Sequence, residues 1–277
     1  PVQISLRHID SRGRLRAADH LCRAAAAPLI AEGLLLTGVS GGEFGVVGRV
    51  EARDPRTGQL VWIRPVVEGH MGKKFDKDGK ESDIGISGTT NKTWPGDLWK
   101  TGGAATWLGG TYDARTGLAY FGTGNPAPWN SHLRKGDNLY STSTVAVDVK
   151  TGQIKWHYQN TPNDGWDYDG VNEFITYDEG GAILGGKADR NGFFYVNDAT
   201  TGKLVNAFPF VKKITWATGI DLKTGRPNFV PENRPGDPTA AADGLVAALG
   251  EQLPSLPGRR FGELTVQTAD DFAYTDP

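Results

Sequence analysis

The amino-acid sequence predicts an all-β fold, and within that class a β-propeller. Three observations point there. A five-residue pattern, Asp-x-x-Thr-Gly, recurs at Asp54–Gly58, Asp113–Gly117, Asp148–Gly152, Asp198–Gly202 and Asp221–Gly225. Short apolar or aromatic runs with a two-residue period flank four of these copies, as strands of hairpins do. Composition supplies the third: 38 glycines and 16 prolines imply many turns, and eight tryptophans need a large core or a flat ligand to pack on.

Each element follows from local chemistry. The Asp of the repeat can accept backbone N–H groups two residues on, and the closing Gly supplies the positive φ of a tight hairpin. Val145–Val147 before the third copy and Ile154–Tyr158 after it alternate as paired strands, and Phe193–Val196 precedes the fourth. Repeated hairpins of irregular period suggest the four-stranded blades of a propeller. The copies begin 59, 35, 50 and 23 residues apart, so several blades must carry insertions. The polar stretch from Gly69 to Gly103 reads as a long surface loop, a lid over a site. Residues 26–231 form the propeller region. Residues 1–25, rich in Arg and Ala, and residues 232–277, which lack the repeat, are set apart as atypical and loosely packed, with a short helix expected over Ala240–Leu249.

Charge and cysteine content exclude several classes. A net charge of −2 gives no footprint for nucleic acid or an anionic membrane. The lone Cys22 rules out an internal disulfide and a cysteine zinc site in this chain. No 18-residue apolar run provides a membrane span. His8, Arg12, Arg14 and Arg16 interrupt any signal-peptide core near the first residue.

The chemistry concentrates in four segments. In Trp166-Asp-Tyr-Asp-Gly-Val-Asn-Glu173, Asp167 and Asp169 stand two apart; in an extended strand they would share a face, and carboxylates that close call for a proton or a cation between them. Gly38–Gly48 carries a lone Glu43 among glycines that allow close backbone approach to a ligand. Trp99–Trp107 ends in an indole after small residues, a flat platform for a planar ligand. Gly122–Asn130 fixes Asn125, a hard oxygen donor, ahead of two prolines. Taken singly, each is also ordinary turn or core chemistry.

Taken in order, Gly-Gly-Glu-Phe-Gly-Val, Gly-Thr-Gly-Asn-Pro-Ala-Pro-Trp-Asn, Gly136-Asp-Asn and Trp-Asp-Tyr-Asp-Gly-Val-Asn closely resemble the pyrroloquinoline quinone (PQQ)-dependent alcohol dehydrogenases, the methanol dehydrogenase-like quinoproteins. The resemblance runs from about Pro28 to Arg234. It implies an eight-bladed propeller, of which about half is present. It implies that Glu43, Asn125 and Asp167 ligate a metal, that Asp167 is also the general base, and that Asp169 marks a lanthanide rather than a Ca²⁺ site. An extra carboxylate favours the trivalent ion. Trp107 matches the indole under PQQ, Ser40, Gly41 and Gly42 the strand end at its carboxylates, and Arg190 the positively charged residue beside the quinone oxygens.

The implied activity is oxidation of a primary alcohol to an aldehyde in the periplasm. A separate cytochrome c is the implied acceptor, since the chain has no Cys-x-x-Cys-His haem motif. The sequence departs from the family at both ends: Ala25 stands where Thr usually contacts PQQ, and an adjacent cysteine pair, further blades and a later Asn are not in the chain. Truncated or out-of-frame coding would give such ends, and an open half-propeller implies weak or absent PQQ binding by this chain alone. A Ca²⁺ quinoprotein and a non-catalytic scaffold propeller are the alternative readings; the Glu43, Asn125 and Asp167 set argues against the scaffold. The particular alcohol and the oligomeric state stay open.

Overall fold

The structure, a computed structural model, describes residues 27–236 apart from 89–91. Residues 1–25 with Ala25, nearly all of 232–277 and the helix expected over Ala240–Leu249 lie outside the described residues. The chain divides into two units, Pro1–Arg234 and Pro235–Pro277, and everything below belongs to the first.

Sixteen described strands form antiparallel meanders. The first sheet holds β1 (Leu29–Ala31), β2 (Leu34–Thr37), β3 (Arg49–Arg53), β4 (Leu60–Pro65), β5 (Met71–Phe75) and β6 (Glu81–Ile86) in sequence order. The second holds β7 (Thr111–Asp113), β8 (Leu118–Gly122), β9 (Ser143–Asp148) and β10 (Ile154–Gln159). The third holds β11 (Ile175–Glu179), β12 (Ala182–Ala188), β13 (Phe193–Asp198) and β14 (Leu204–Pro209); β15 (Ala217–Asp221) and β16 (Arg226–Phe229) pair alone. Three propeller blades and half of a fourth are thus described, about half of an eight-bladed ring.

The middle sheet is buried on both faces. Phe121, Val145 and Val147 join Leu36, Val50 and Trp62 in the core shared with the first sheet. Their strand neighbours Tyr120 and Ala146 point the other way, into the core with Trp156, Phe174 and Tyr195 of the third. Strand alternation alone produces this split, and it explains why β8 and β9 read as nearly continuous apolar runs.

All five Asp-x-x-Thr-Gly copies close hairpins, after β3, β7, β9, β13 and β15. Asp54, Asp148 and Asp198 each accept two backbone N–H groups through Oδ1. The closing glycines hold φ between 68° and 76°. These turns are also sockets. Trp62 Nε1 on β4 donates to the Val149 carbonyl at 2.8 Å, and a Cβ on Gly152 would fall 2.8 Å from that indole. Trp156 repeats the arrangement on Ala199 and Gly202, and Tyr158 on Gly225. The first sheet is thus pinned to a turn of the second, and the second to turns of the third and of the β15–β16 pair.

Strand directions settle where a site can form. With the five repeat turns at one end, the segments entering β3, β7, β9, β11 and β13 emerge at the other. Glu43, Trp107, Asn125, Asp167, Asp169 and Arg190 all lie in those segments.

Two expectations are corrected. The Gly69–Gly103 stretch is not one long loop: β5 and β6 form a hairpin within it, added to the edge of β4. Most of β6 faces solvent, so the apolar alternation that announces a strand is missing. The Asp167–Asp169 segment is not an extended strand. It is a loop in which both residues adopt left-handed φ, 64° and 54°.

Candidate metal and quinone site

Two backbone segments interlock at the site end. Gly38 and Gly48 lie against the chain at Thr106 and Ala104 so closely that a Cβ on either would fall 1.8 Å from a carbonyl oxygen. The Thr106 hydroxyl accepts the Val39 N–H at 3.1 Å and donates to the Arg49 carbonyl at 2.6 Å. This seam places Ser40, Gly41 and Gly42 beside the segment that ends in half-buried Trp107. Gly41 takes φ 90°, which turns the chain into the 3-10 turn Gly42–Phe44 and leaves Glu43 exposed. Gly38 and Gly48 approach neighbouring backbone closely, and Gly41 and Gly42 belong to a tight turn and not a strand end.

Asn125 is carried out of β8 and is buried at 6% exposure. Its backbone N–H donates to Asp169 Oδ1 at 3.0 Å. Its side-chain oxygen stands 3.1 Å from that same carboxylate oxygen and 3.2 Å from Glu43 Oε1. Three acceptors facing one another repel. Turning the amide over lets its NH₂ donate to both carboxylates. With the NH₂ inward the amide bridges the two acids; with its oxygen inward it would offer a hard cation an oxygen beside them. Among the described residues, no three His, Cys, Asp or Glu side chains converge tightly enough to hold a metal by themselves. The convergence depends on the amide.

The loop Asp164–Val171 supplies the other acids. Buried Asp164 accepts the N–H groups of Trp166 at 2.8 Å and Tyr168 at 2.9 Å, which curls the chain around its carboxylate. Burial pushes the Asp164 carboxyl up to about 6, against the pull of those two N–H groups. Trp166 and Tyr168 stack on each other and pack on Trp216. Asp169 turns instead to Asn125 and to Arg190, whose Nη1 lies 2.6 Å from Oδ2. Asp167 is exposed beside this group. Desolvation raises its carboxyl above the ordinary range, Asp169 adds to the rise, Arg190 opposes it and Glu43 adds again. Three carboxylates and one guanidinium therefore share the site, an excess of negative charge that suits a cation.

Asn125 stands directly against Asp169 and Glu43, Asp167 is coupled to the acids by charge, and Gly42 lies against the Gly103–Ala105 backbone. Sequence motifs did not single out Asp164. Its signal was there: an Asp two residues before Trp166 in a Gly-containing turn is Asx-turn chemistry.

The PQQ family described as "Glucose/ethanol/alcohol dehydrogenase, beta-propeller domain" matches residues 8–215. That span begins upstream of Pro28, inside the segment that composition had set apart. The chain is 60% identical over 236 residues to the quinoprotein alcohol dehydrogenase PedH of Pseudomonas putida, covering 83% of this chain and 39% of that protein. It is 45% identical over 219 residues to the lanthanide-dependent methanol dehydrogenase of Methylacidiphilum fumariolicum, covering 75% of this chain and 35% of that protein. A solved europium-containing methanol dehydrogenase superposes with TM-score 0.67 at 42% identity, over 76% of this chain and 38% of that one. The chain thus spans a little over a third of the length of these relatives.

Proposed function

The chain belongs to the PQQ β-propeller family of glucose, ethanol and alcohol dehydrogenases, and on that premise we propose that it supplies the metal- and quinone-binding wall of an enzyme oxidising primary alcohols to aldehydes. One observation carries the reading: the Asn125 side-chain amide stands 3.1 Å from Asp169 Oδ1 and 3.2 Å from Glu43 Oε1, which brings an amide and two acids to one point.

These residues fit a hard metal and PQQ. Glu43, Asn125, Asp167 and Asp169 would hold the ion, and Trp107, Ser40, Gly41, Gly42 and Arg190 would hold PQQ. When bound, metal and quinone together supply a Lewis acid and a two-electron acceptor for the hydride of the alcohol carbon. The chain's own contribution is positional and protonic. Asp167 is the exposed carboxylate of the group, and it takes the alcohol proton at a carboxylate oxygen. Arg190 holds Asp169 in place through its guanidinium. The interlocked glycine seam keeps backbone, not side chains, against the ligand wall.

Electrons then pass to a separate cytochrome c, and the reaction is assigned to the periplasm on family grounds. We assign the metal as a lanthanide, because Asp169 adds a carboxylate to the group. A Ca²⁺ site is the second reading, and one observation favours it: Arg190 already offsets the Asp169 charge at 2.6 Å.

Titration of the 277-residue chain with PQQ in the presence of La³⁺ or Ca²⁺, followed by tryptophan fluorescence, tests the proposal. Quenching that needs metal, and that is lost in Glu43→Gln and in Trp107→Leu, supports it. Quenching indifferent to metal and to both substitutions overturns it.

A further inference from the structure

Lys187 sits in β12 among buried Leu184, Gly185 and Gly186, and is itself 1% exposed. Lysine almost never occupies such a place without partners. Here its ammonium forms an ion pair with Asp189 at 3.5 Å and hydrogen-bonds to Asn160 Oδ1 at 3.2 Å and Thr144 Oγ1 at 3.3 Å. Its remaining contact is the Gly170 carbonyl.

That carbonyl belongs to the residue bonded to Asp169. Gly170 has no slack: a Cβ there would fall 2.6 Å from the Thr142 carbonyl carbon. Three residues beyond Lys187, Arg190 grips the Asp169 carboxylate. The stretch Lys187–Arg190 therefore holds the acidic loop twice, once by its backbone and once by its side chain. Asp189 completes the device, because its Oδ1 accepts the Asn191 N–H and fixes the turn that carries Arg190.

We propose that Lys187 is a positioning residue for the cation site: from full burial, it anchors the Gly170 carbonyl and so sets where Asp167 and Asp169 stand. The proposal rests on the cation reading above. Lys187 touches neither metal nor substrate and acts only through the loop.

Lys187→Met alone strands the buried Asp189 carboxylate, and breaking a buried pair this way threatens folding. The double variant Lys187→Met/Asp189→Asn removes both charges and keeps an oxygen for the Asn191 N–H. Two measurements on the 277-residue chain are compared between wild type and double variant: hydrogen exchange in peptides covering residues 164–171 and 193–198, and terbium emission sensitised by tryptophan. Loop exchange about tenfold faster or more, with β13 exchange unchanged, supports the anchor. Terbium binding about 10–100-fold weaker is the accompanying result, the usual effect of losing an outer-shell support. Loop exchange at the wild-type rate in the double variant overturns the proposal. If wild-type terbium emission does not saturate, or saturates identically in Glu43→Gln, the cation reading falls; loop exchange still decides the anchor.

Discussion

The two ends of the sheets carry the same residue, aspartate, in opposite electrostatic states. At the turn end, the Arg56 backbone N–H holds Asp54 below the usual carboxylate range, and that of Lys223 does so for Asp221. Asp113 is held down at about 2, first by the Arg115 guanidinium. At the site end, burial pushes Asp164 up to about 6, and desolvation with neighbouring acids raises Asp167. At the turn end donors outweigh burial; at the site end burial outweighs the N–H groups that Asp164 accepts. The lesson is that the turn end lowers its carboxylates' pKa values with local donors, whereas the site end raises Asp164 and Asp167 by burial and neighbouring acids.

Breaking the turn end should have the largest effect. Trp62→Ala removes a fully buried indole and its bond to Val149, and should cost about 3–5 kcal/mol in denaturant unfolding. Next comes pH. Asp164 is raised in the fold, so its contribution is fully present below about 4 and is lost as pH rises through about 6. The metal-free chain should therefore lose up to roughly 3 kcal/mol from this group between pH 4 and 7. Asp113 has the reverse sign: its contribution is present above about 4 and is lost as pH falls toward about 2. Melts of wild type against Asp164→Asn and Asp113→Asn across that range read both limbs. A smaller effect, about 1 kcal/mol, is expected for Asp148→Ala, which removes the acceptor of the Lys150 and Thr151 N–H groups. Smallest is Glu43→Gln at the exposed site end, within about 0.5 kcal/mol in a metal-free melt.

The same contrast explains what could be read in the sequence. The turn end is legible because it is repetitive: Asp-x-x-Thr-Gly names both the hydrogen-bond acceptor and the residue free to take positive φ. It does not reveal that Gly152 and Gly202 lie beneath tryptophans of the preceding sheet, since that contact joins residues far apart in the chain. The β5–β6 hairpin was missed because Lys73, Lys74 and Glu81 mark a solvated edge with no apolar rhythm. At the site end, the motif residues were visible but their geometry was not. A strand reading placed Asp167 and Asp169 on one face. The loop instead turns Asp169 toward Asn125 and leaves Asp167 exposed, because Asp164 curls the backbone from within. Lys187 was hidden by its strand: in Ala182–Ala188 it looks like one polar residue among apolar ones, and only its burial shows that it faces inward.

The account turns on the claim that the oxygens around Asn125 form a cation site whose charge Asp169 increases. Calorimetric titration of the 277-residue chain with La³⁺ and with Ca²⁺, in wild type and Asp169→Ala, tests it directly. The account predicts saturable binding at one site, tighter for La³⁺ in the wild type, with that preference reduced by about tenfold or more in Asp169→Ala. No saturable binding of either ion, or a preference untouched by the substitution, would contradict it.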